Sequence, residues 1–327
     1  TASNNTAVGY NAMAANTTGA GNNAIGASSL LSNTTGGTNT AVGHTVMNQN
    51  TTGANNVAMG SGALANNTTA SNNTGIGISS MFANTTGSEN TAVGRLSLDA
   101  NTTGTNNVAV GNQALGANTT AANNTAIGNE ALLANTTGAF NVAIGSNALD
   151  ANTTASANTG VGYNGLGVNT TGSSQTAVGF VALAANTTGS NNTAMGRSAL
   201  GANTTADLNT AFGYLALQAN TTATSNTAVG ANAGDSVTTG SYNVLLGLES
   251  GAHDVNLTTG TRNVLVGAFT DTTAADTNDA NVIGYNVSGA VDYTTLGNAD
   301  NDIRAAHGNV TWATVSDVRV KKDIEDS

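Results

Sequence analysis

The sequence predicts an all-β chain, a β-solenoid built from 17-residue coils. Three observations carry that prediction. A glycine recurs at positions 9, 26, 43, 60, 77, 94, 111, 128, 145, 162, 179, 196, 213, 230 and 247, at one unbroken interval. Two apolar ladders and one turn-forming cluster repeat in register with it. Proline is absent, as suits a backbone whose N–H groups are needed for bonding between coils. A period this strict means one structural unit per repeat, each stacked on its neighbours.

One coil, from Asn106, reads N-N-V-A-V-G-N-Q-A-L-G-A-N-T-T-A-A. Its fifth position is Val8, Ile25, Val42, Met59, Ile76, Val93, Val110, Ile127, Ile144, Val161, Val178, Met195, Phe212, Val229 and Leu246. Such β-branched and bulky residues signal a strand, and this ladder is expected in the core. A second ladder lies five residues on, from Met13 and Leu30 through Leu115 to Leu217. Between the two sits the periodic glycine, free to take a turn. The last corner is Asn-Thr-Thr-Gly/Ala, a cluster of turn formers. A helix is excluded, because no 3.6-residue apolar stripe survives so much Asn, Gly and β-branched sequence. Each coil is therefore expected to hold two short strands joined by tight corners. Fifteen coils rising about 4.8 Å each give a rod of roughly 70 Å.

Two large apolar side chains per coil fall short of the entropy lost in ordering the whole coil, so burial of a second face against identical chains is expected. The chain is predicted to be a homo-oligomer. Charged residues are only 8% of the sequence and aromatics 4%, both low for a soluble enzyme. The net charge of −11 is unevenly placed. Residues 1–230 carry only Arg95 and Arg197 against Glu89, Asp99, Glu130, Asp150 and Asp207. No basic stripe exists to neutralise a phosphate backbone, which argues against nucleic-acid binding. No 18-residue apolar run exists to cross a membrane as a helix. Cysteine is absent, so no disulfide or cysteine–metal framework is expected. The sequence starts at Thr1, in mid-repeat and without a polar cap, and is read as a fragment or processed chain.

The recurring N-x-x-A-[V/I/M]-G resembles the repeat of the head domains of trimeric autotransporter adhesins over about residues 4–250. That resemblance implies a left-handed parallel β-roll with three chains packed around one axis. The coils here are longer than the usual repeat of that family, with the extra residues most simply placed in the Asn-Thr-Thr corner. The expected organisation is a repeat shaft over 1–250, an irregular β continuation or neck over 251–315, and a terminal segment over 316–327. After Gly247 the spacing breaks to Gly267, Gly284 and Gly297.

The terminal segment, Ser316-Asp317-Val318-Arg319-Val320-Lys321-Lys322-Asp323-Ile324, carries a second resemblance. It is similar to the opening of the intramolecular-chaperone domain of phage tail fibres and endosialidase tailspikes. Members of that family cut themselves after trimerisation. The resemblance implies Ser316 as nucleophile, Ser316–Asp317 as the scissile bond and Lys321 as base, in a longer precursor. A lysine base needs its pKa lowered by burial or neighbours. Otherwise Lys321 and Lys322 are solvated charges on a terminal element.

The corner asparagines Asn16, Asn33, Asn50, Asn67, Asn84, Asn101, Asn118, Asn135, Asn152, Asn169, Asn186, Asn203 and Asn220 each open an N-x-T sequon, and Asn256 opens another. Two readings follow: a fibre coated with N-glycans along one edge, or an asparagine ladder whose stacked amides bond coil to coil, with threonines filling a turn. The threonines also raise ice binding. Adjacent threonines in a corner do not make the alternating array that a flat strand face would need. His44, His253 and His307 show no metal-ligand spacing, and the acids at 276–279 and 300–302 read as solvated loops. No cofactor is expected. The residue after each periodic glycine varies (Tyr10, His44, Arg95, Tyr163, Phe180, Arg197, Tyr214), which suggests a solvent-facing ridge.

The expected function is a homotrimeric structural fibre, the shaft or tip of a phage tail fibre that spans distance and meets a host receptor or glycan. A bacterial trimeric adhesin or free extracellular filament is the alternative, with an ice-binding solenoid as a minor one. The expected location is a virion fibre or the cell exterior. Enzymatic activity is not expected beyond a one-time cut in a precursor.

Overall fold

The computed structural model describes residues 2–299, 301–308 and 313–314. The chain divides into two compact units, Thr1–Ser174 and Gln175–Ser327. Each is a parallel β-solenoid with no helix among the described residues. In the first unit each coil contributes one three-residue strand, from Thr6–Val8 to Thr159–Val161. Each strand pairs in parallel with its equivalent in the next coil. Val108 lies opposite Thr125, Ala109 opposite Ala126 and Val110 opposite Ile127.

The strand faces the other way from the sequence expectation. The fifth-position residues do not form the core ladder. The buried strand residue is the alanine before them: Ala24, Ala41, Ala58, Ala92, Ala109, Ala126 and Ala143 are fully buried, while Ile25, Met59, Ile76, Ile127 and Ile144 are 37–44% exposed. Side chains of a strand alternate between faces, so positions three and five share the outer face. Only position four looks inward, onto the leucine ladder. There is little room there: a Cβ on Gly75, which holds that position in its coil, would lie 3.4 Å from the Leu64 side chain. Small strand residues are thus dictated by large leucines opposite.

The second ladder is the core, as the spacing predicts. Leu30, Met47, Leu64, Met81, Leu98, Leu115, Leu132, Leu149 and Leu166 are all fully buried. It is not a strand, however. The backbone takes a positive φ at alternate residues, 55° at Gln113 and 54° at Leu115. The peptide planes still reach both neighbours: Gln113 N–H donates back to Arg95 O (3.0 Å) and Leu115 N–H forward to Ala131 O (2.9 Å). The expected second strand is replaced by a left-handed stretch. The first residue of the motif is left-handed too, with φ 58° at Asn106, as is Gly111 at 137°. A Cβ on Gly111 would run into the carbonyl of Gly128 in the next coil, so the periodic glycine is a point of close backbone approach.

Two asparagine ladders complete the interior. Asn107, second in its motif, donates its backbone N–H to Asn90 Oδ1 (3.0 Å) and its Nδ2 to Ala121 O (2.9 Å). Asn118, in the corner, donates Nδ2 to Asn101 Oδ1 (2.9 Å) and also to Ala121 O (3.1 Å). One carbonyl per coil thus receives amides from both ladders. Thr102 adds a hydroxyl bond to Thr119 O in the following coil (3.0 Å). Buried amides cost little only when their hydrogen bonds are made, and here they are made between coils.

In the second unit the same coil runs from Thr176–Val178 to Val244–Leu246 and then changes. Val244 pairs with Val264 across a lengthened coil, Val264 with Asn281 at the regular step, and Asn281 with Thr294 across a shortened one. The core is rebuilt over this span. Gly234 and Gly251 occupy the leucine positions, while Leu245 and Leu265 replace the strand alanines and are fully buried. Val237 and Leu257 replace the corner asparagine, so Asn220 Oδ1 ends its ladder without a protein partner. The parallel stack closes with an antiparallel pair, Tyr293–Asn298 against Asn301–Ala306.

Two stability predictions follow from these coils. Replacing Asn118 with alanine removes the donor to Asn101 Oδ1 and the acceptor of Asn135 Nδ2 inside the core. Urea unfolding is expected to show a loss of about 3 kcal/mol. Phe140 holds the left-handed position that is Asn106 in the coil read above, with φ 60° and its ring 65% exposed. Phe140→Asn is expected to stabilise by up to about 1 kcal/mol in the same measurement, since asparagine tolerates that conformation.

Candidate functional site

The surface of each coil divides into three files, and the first is the outer face of the parallel sheet. Positions three and five of the motif stand side by side on it. In the first unit these include Thr40 with Val42, Val57 with Met59, Thr74 with Ile76 and Val108 with Val110. In the second unit Phe212, Val229 and Ile283 continue the pattern, and Phe212 is 52% exposed. Within each unit, one β-branched or bulky apolar side chain per coil, in register and outward, makes an apolar stripe.

The second file is the residue after the periodic glycine. Tyr10, His44, Arg95 and Tyr163 in the first unit are exposed, as are Phe180, Arg197 and Tyr214 in the second. The ridge read from sequence is therefore a ridge on the surface. The structure adds one relation that sequence reasoning missed. Arg197 places its guanidinium 5.9 Å from the Phe180 ring centre and 5.7 Å from that of Tyr214. The signal was available: the 17-residue spacing puts Phe180, Arg197 and Tyr214 in line.

The third file is the Asn-Thr-Thr corner. Asn16 is half-buried, and Asn33, Asn50, Asn67, Asn84, Asn101, Asn118, Asn135, Asn152, Asn169, Asn186, Asn203 and Asn220 are fully buried. Their amides form the internal ladder described above. A glycan on Asn33 Nδ2, for example, would have to displace bonds to Asn16 Oδ1 and Gly36 O, both 2.9 Å. Asn256 differs: it is exposed, on the enlarged coil between Gly251 and Leu257. The two corner threonines also differ from each other. Thr34 bonds Thr51 O (3.0 Å), while Thr35 is exposed, as are Thr52, Thr69, Thr86 and Thr103.

Among the described residues no group of three or more His, Asp or Glu is placed to hold a metal ion. Asp279 is instead held by Arg262 through two bonds of 2.7 Å, which keep its carboxyl below the ordinary range. His44 is exposed, and His307 Nε2 lies 3.2 Å from Asn281 Nδ2. His253 sits on the enlarged coil, 3.1 Å from Glu249, with its ring centre 4.6 Å from that of Phe269. Below it, Asp271 takes the place of a core leucine and is buried. Its carboxylate accepts the backbone N–H groups of His253 (3.3 Å), Asp254 (2.6 Å) and Val255 (3.2 Å). A carboxylate thus anchors the added loop. Ser316, Asp317 and Lys321 lie outside the described residues.

Compared with known proteins, the chain matches no protein-family model, no curated protein and no solved structure.

Burial pushes the Asp271 carboxyl above its ordinary value, outweighing the three N–H groups that pull it down. The folded chain therefore holds that proton more tightly than the unfolded one. The stability this adds is complete below the unfolded value and is lost as pH rises through the folded one. Asp271→Asn is expected to remove that part of the pH dependence. Hydrogen exchange across residues 251–257, compared between the two proteins on either side of the carboxylate range, checks it.

Proposed function

We propose that this chain is the shaft of a homotrimeric fibre, which spans distance and carries a repeated surface to a host or neighbouring cell. The observation that supports the reading is the outward apolar stripe. A chain that places valine and isoleucine on the open face of its sheet, coil after coil, is built to cover that face. An identical chain covers it with the same period and therefore in register along the whole stripe. Three copies around one axis is the arrangement implied by the adhesin-like repeat. The tightly bonded interior suits a mechanical part, because each coil is tied to its neighbours by many hydrogen bonds.

A phage tail fibre is preferred over a cellular adhesin or free filament because of the terminal S-D-x-R-x-K-x-D-I segment. On this reading the protein works outside the cell, and a precursor cuts itself once between Ser316 and Asp317. The fibre itself is not an enzyme. The exposed file that contains Thr35, Thr52 and Thr69 favours a second reading, ice binding, at one free hydroxyl per coil. Thermal hysteresis in the protein's own solution separates the two.

Light scattering is expected to return three times the chain mass. Val110→Lys with Ile127→Lys puts two charges into the stripe and is expected to shift the protein to monomer, with the β circular dichroism retained. A native protein that stays monomeric at micromolar concentration overturns the fibre reading.

A further inference from the structure

We infer that the second unit carries a binding site for an acidic saccharide, formed by the Phe180–Arg197–Tyr214 ridge and the groove beside it. Two independent features meet there. The first is the ridge: an arginine between two aromatic rings, at 5.9 and 5.7 Å, on three successive coils. The second is a groove of about 450 Å³ lined by Val181, Ala184, Ser198, Gly201, Gln218 and their neighbours. Val181 and Ser198, which line the groove, directly follow Phe180 and Arg197 in the chain, so the ridge borders the groove. Both take a left-handed backbone, φ 50° and 56°, which turns the chain from ridge to groove.

The groove has a sequence cause. Five residues after the periodic glycine, these coils carry Ala184 and Gly201, where the next two carry Gln218 and Asp235. Two small residues in successive coils leave a depression, with Gln218 of the following coil at its edge. Its volume falls within the range of small-molecule sites.

The chemistry selects the occupant. Arg197 is the only arginine or lysine between Gln175 and Thr261, and among the described residues no carboxylate pairs with it. Its guanidinium lies 5.9 and 5.7 Å from a ring centre in the coil before and the coil after, and its forked N–H groups suit a planar anion in bidentate fashion. A chain of net charge −11 that keeps one unpaired cation between two exposed rings is selective for a ligand with a local negative charge. The ring of Tyr214, about half exposed, offers a surface against which the C–H edges of a pyranose pack. Ser198 and Gln218 supply hydroxyl-binding groups inside the groove. A carboxylate on a sugar ring satisfies all three requirements, so a uronic or similar acidic sugar is the ligand class. All contributing residues belong to one chain, and the inference does not rest on the fibre reading.

Calorimetric titration of the full chain with oligogalacturonate tests it. Saturable binding is expected, weakened at least tenfold by Arg197→Gln and by Tyr214→Ala, and lost with the methyl-esterified oligomer. Arg95→Gln, at the same ridge position between Ile78 and Asn112, is expected to leave binding unchanged. All three positions are exposed, and unaltered thermal melting shows the variants folded. Absence of saturable binding overturns the inference, as does an equal effect of Arg95→Gln. So does equal binding of the neutral ester or of oligoglutamate, which would make the site a general sugar or acidic-peptide surface. Binding that disappears in the trimer alone shows the ridge covered by a second copy, and overturns it as well.

Discussion

The structure depends on one carbonyl per coil that accepts two buried amides. At Ala121 O the ladders of Asn107 and Asn118 converge, and the pattern repeats with the period of the chain. An asparagine in a core is tolerated only when both amide hydrogens and the oxygen are engaged. Stacking supplies those partners: the oxygen accepts from the next coil, and the nitrogen donates back to the previous one. No coil can satisfy all of its own asparagine amides. Stability is therefore a property of neighbours, and across the lengthened coil the motif ladder is kept by bonds from Asn263 to Asn243.

That arrangement also settles what faces outward. With leucines and two amide ladders inside, the strand has room for nothing larger than alanine on its inner side. The bulky β-branched residues of the motif are left on the outer face. Left-handed residues at alternate positions carry the chain around the leucine without a second strand. Each such residue is a conformational cost at side chains other than glycine and asparagine, one the stack must offset with hydrogen bonds between coils. Toward the end of the second unit the leucine moves from turn to strand, as Gly251 and Leu245 exchange bulk, and a buried aspartate holds the enlarged coil in place.

Function on such a scaffold is confined to the files that packing leaves free. The apolar stripe is uniform and suits a partner with the same period. The ridge after the glycine varies from coil to coil, so local chemistry can be written there without disturbing the interior. Phe180, Arg197 and Tyr214 show how: three side chains at one register position set an arginine between two rings, beside a groove.

The sequence by itself determined the solenoid, its 17-residue step, the leucine core and the corner of Asn-Thr-Thr, because each repeats at a fixed position and only stacking explains a fixed repeat. It also showed where the step changes, between Gly247 and Gly267. What the tertiary structure decided was direction. A three-residue strand is too short to reveal which of its faces is buried, so Val110 read as core when Ala109 is. Periodicity marks Leu115 as buried yet says nothing of its left-handed backbone, since leucine has no local preference for that region and is held there by its neighbours. The same holds for the corner asparagines: the sequon is local, but whether the amide meets solvent or another amide depends on the coil above and the coil below.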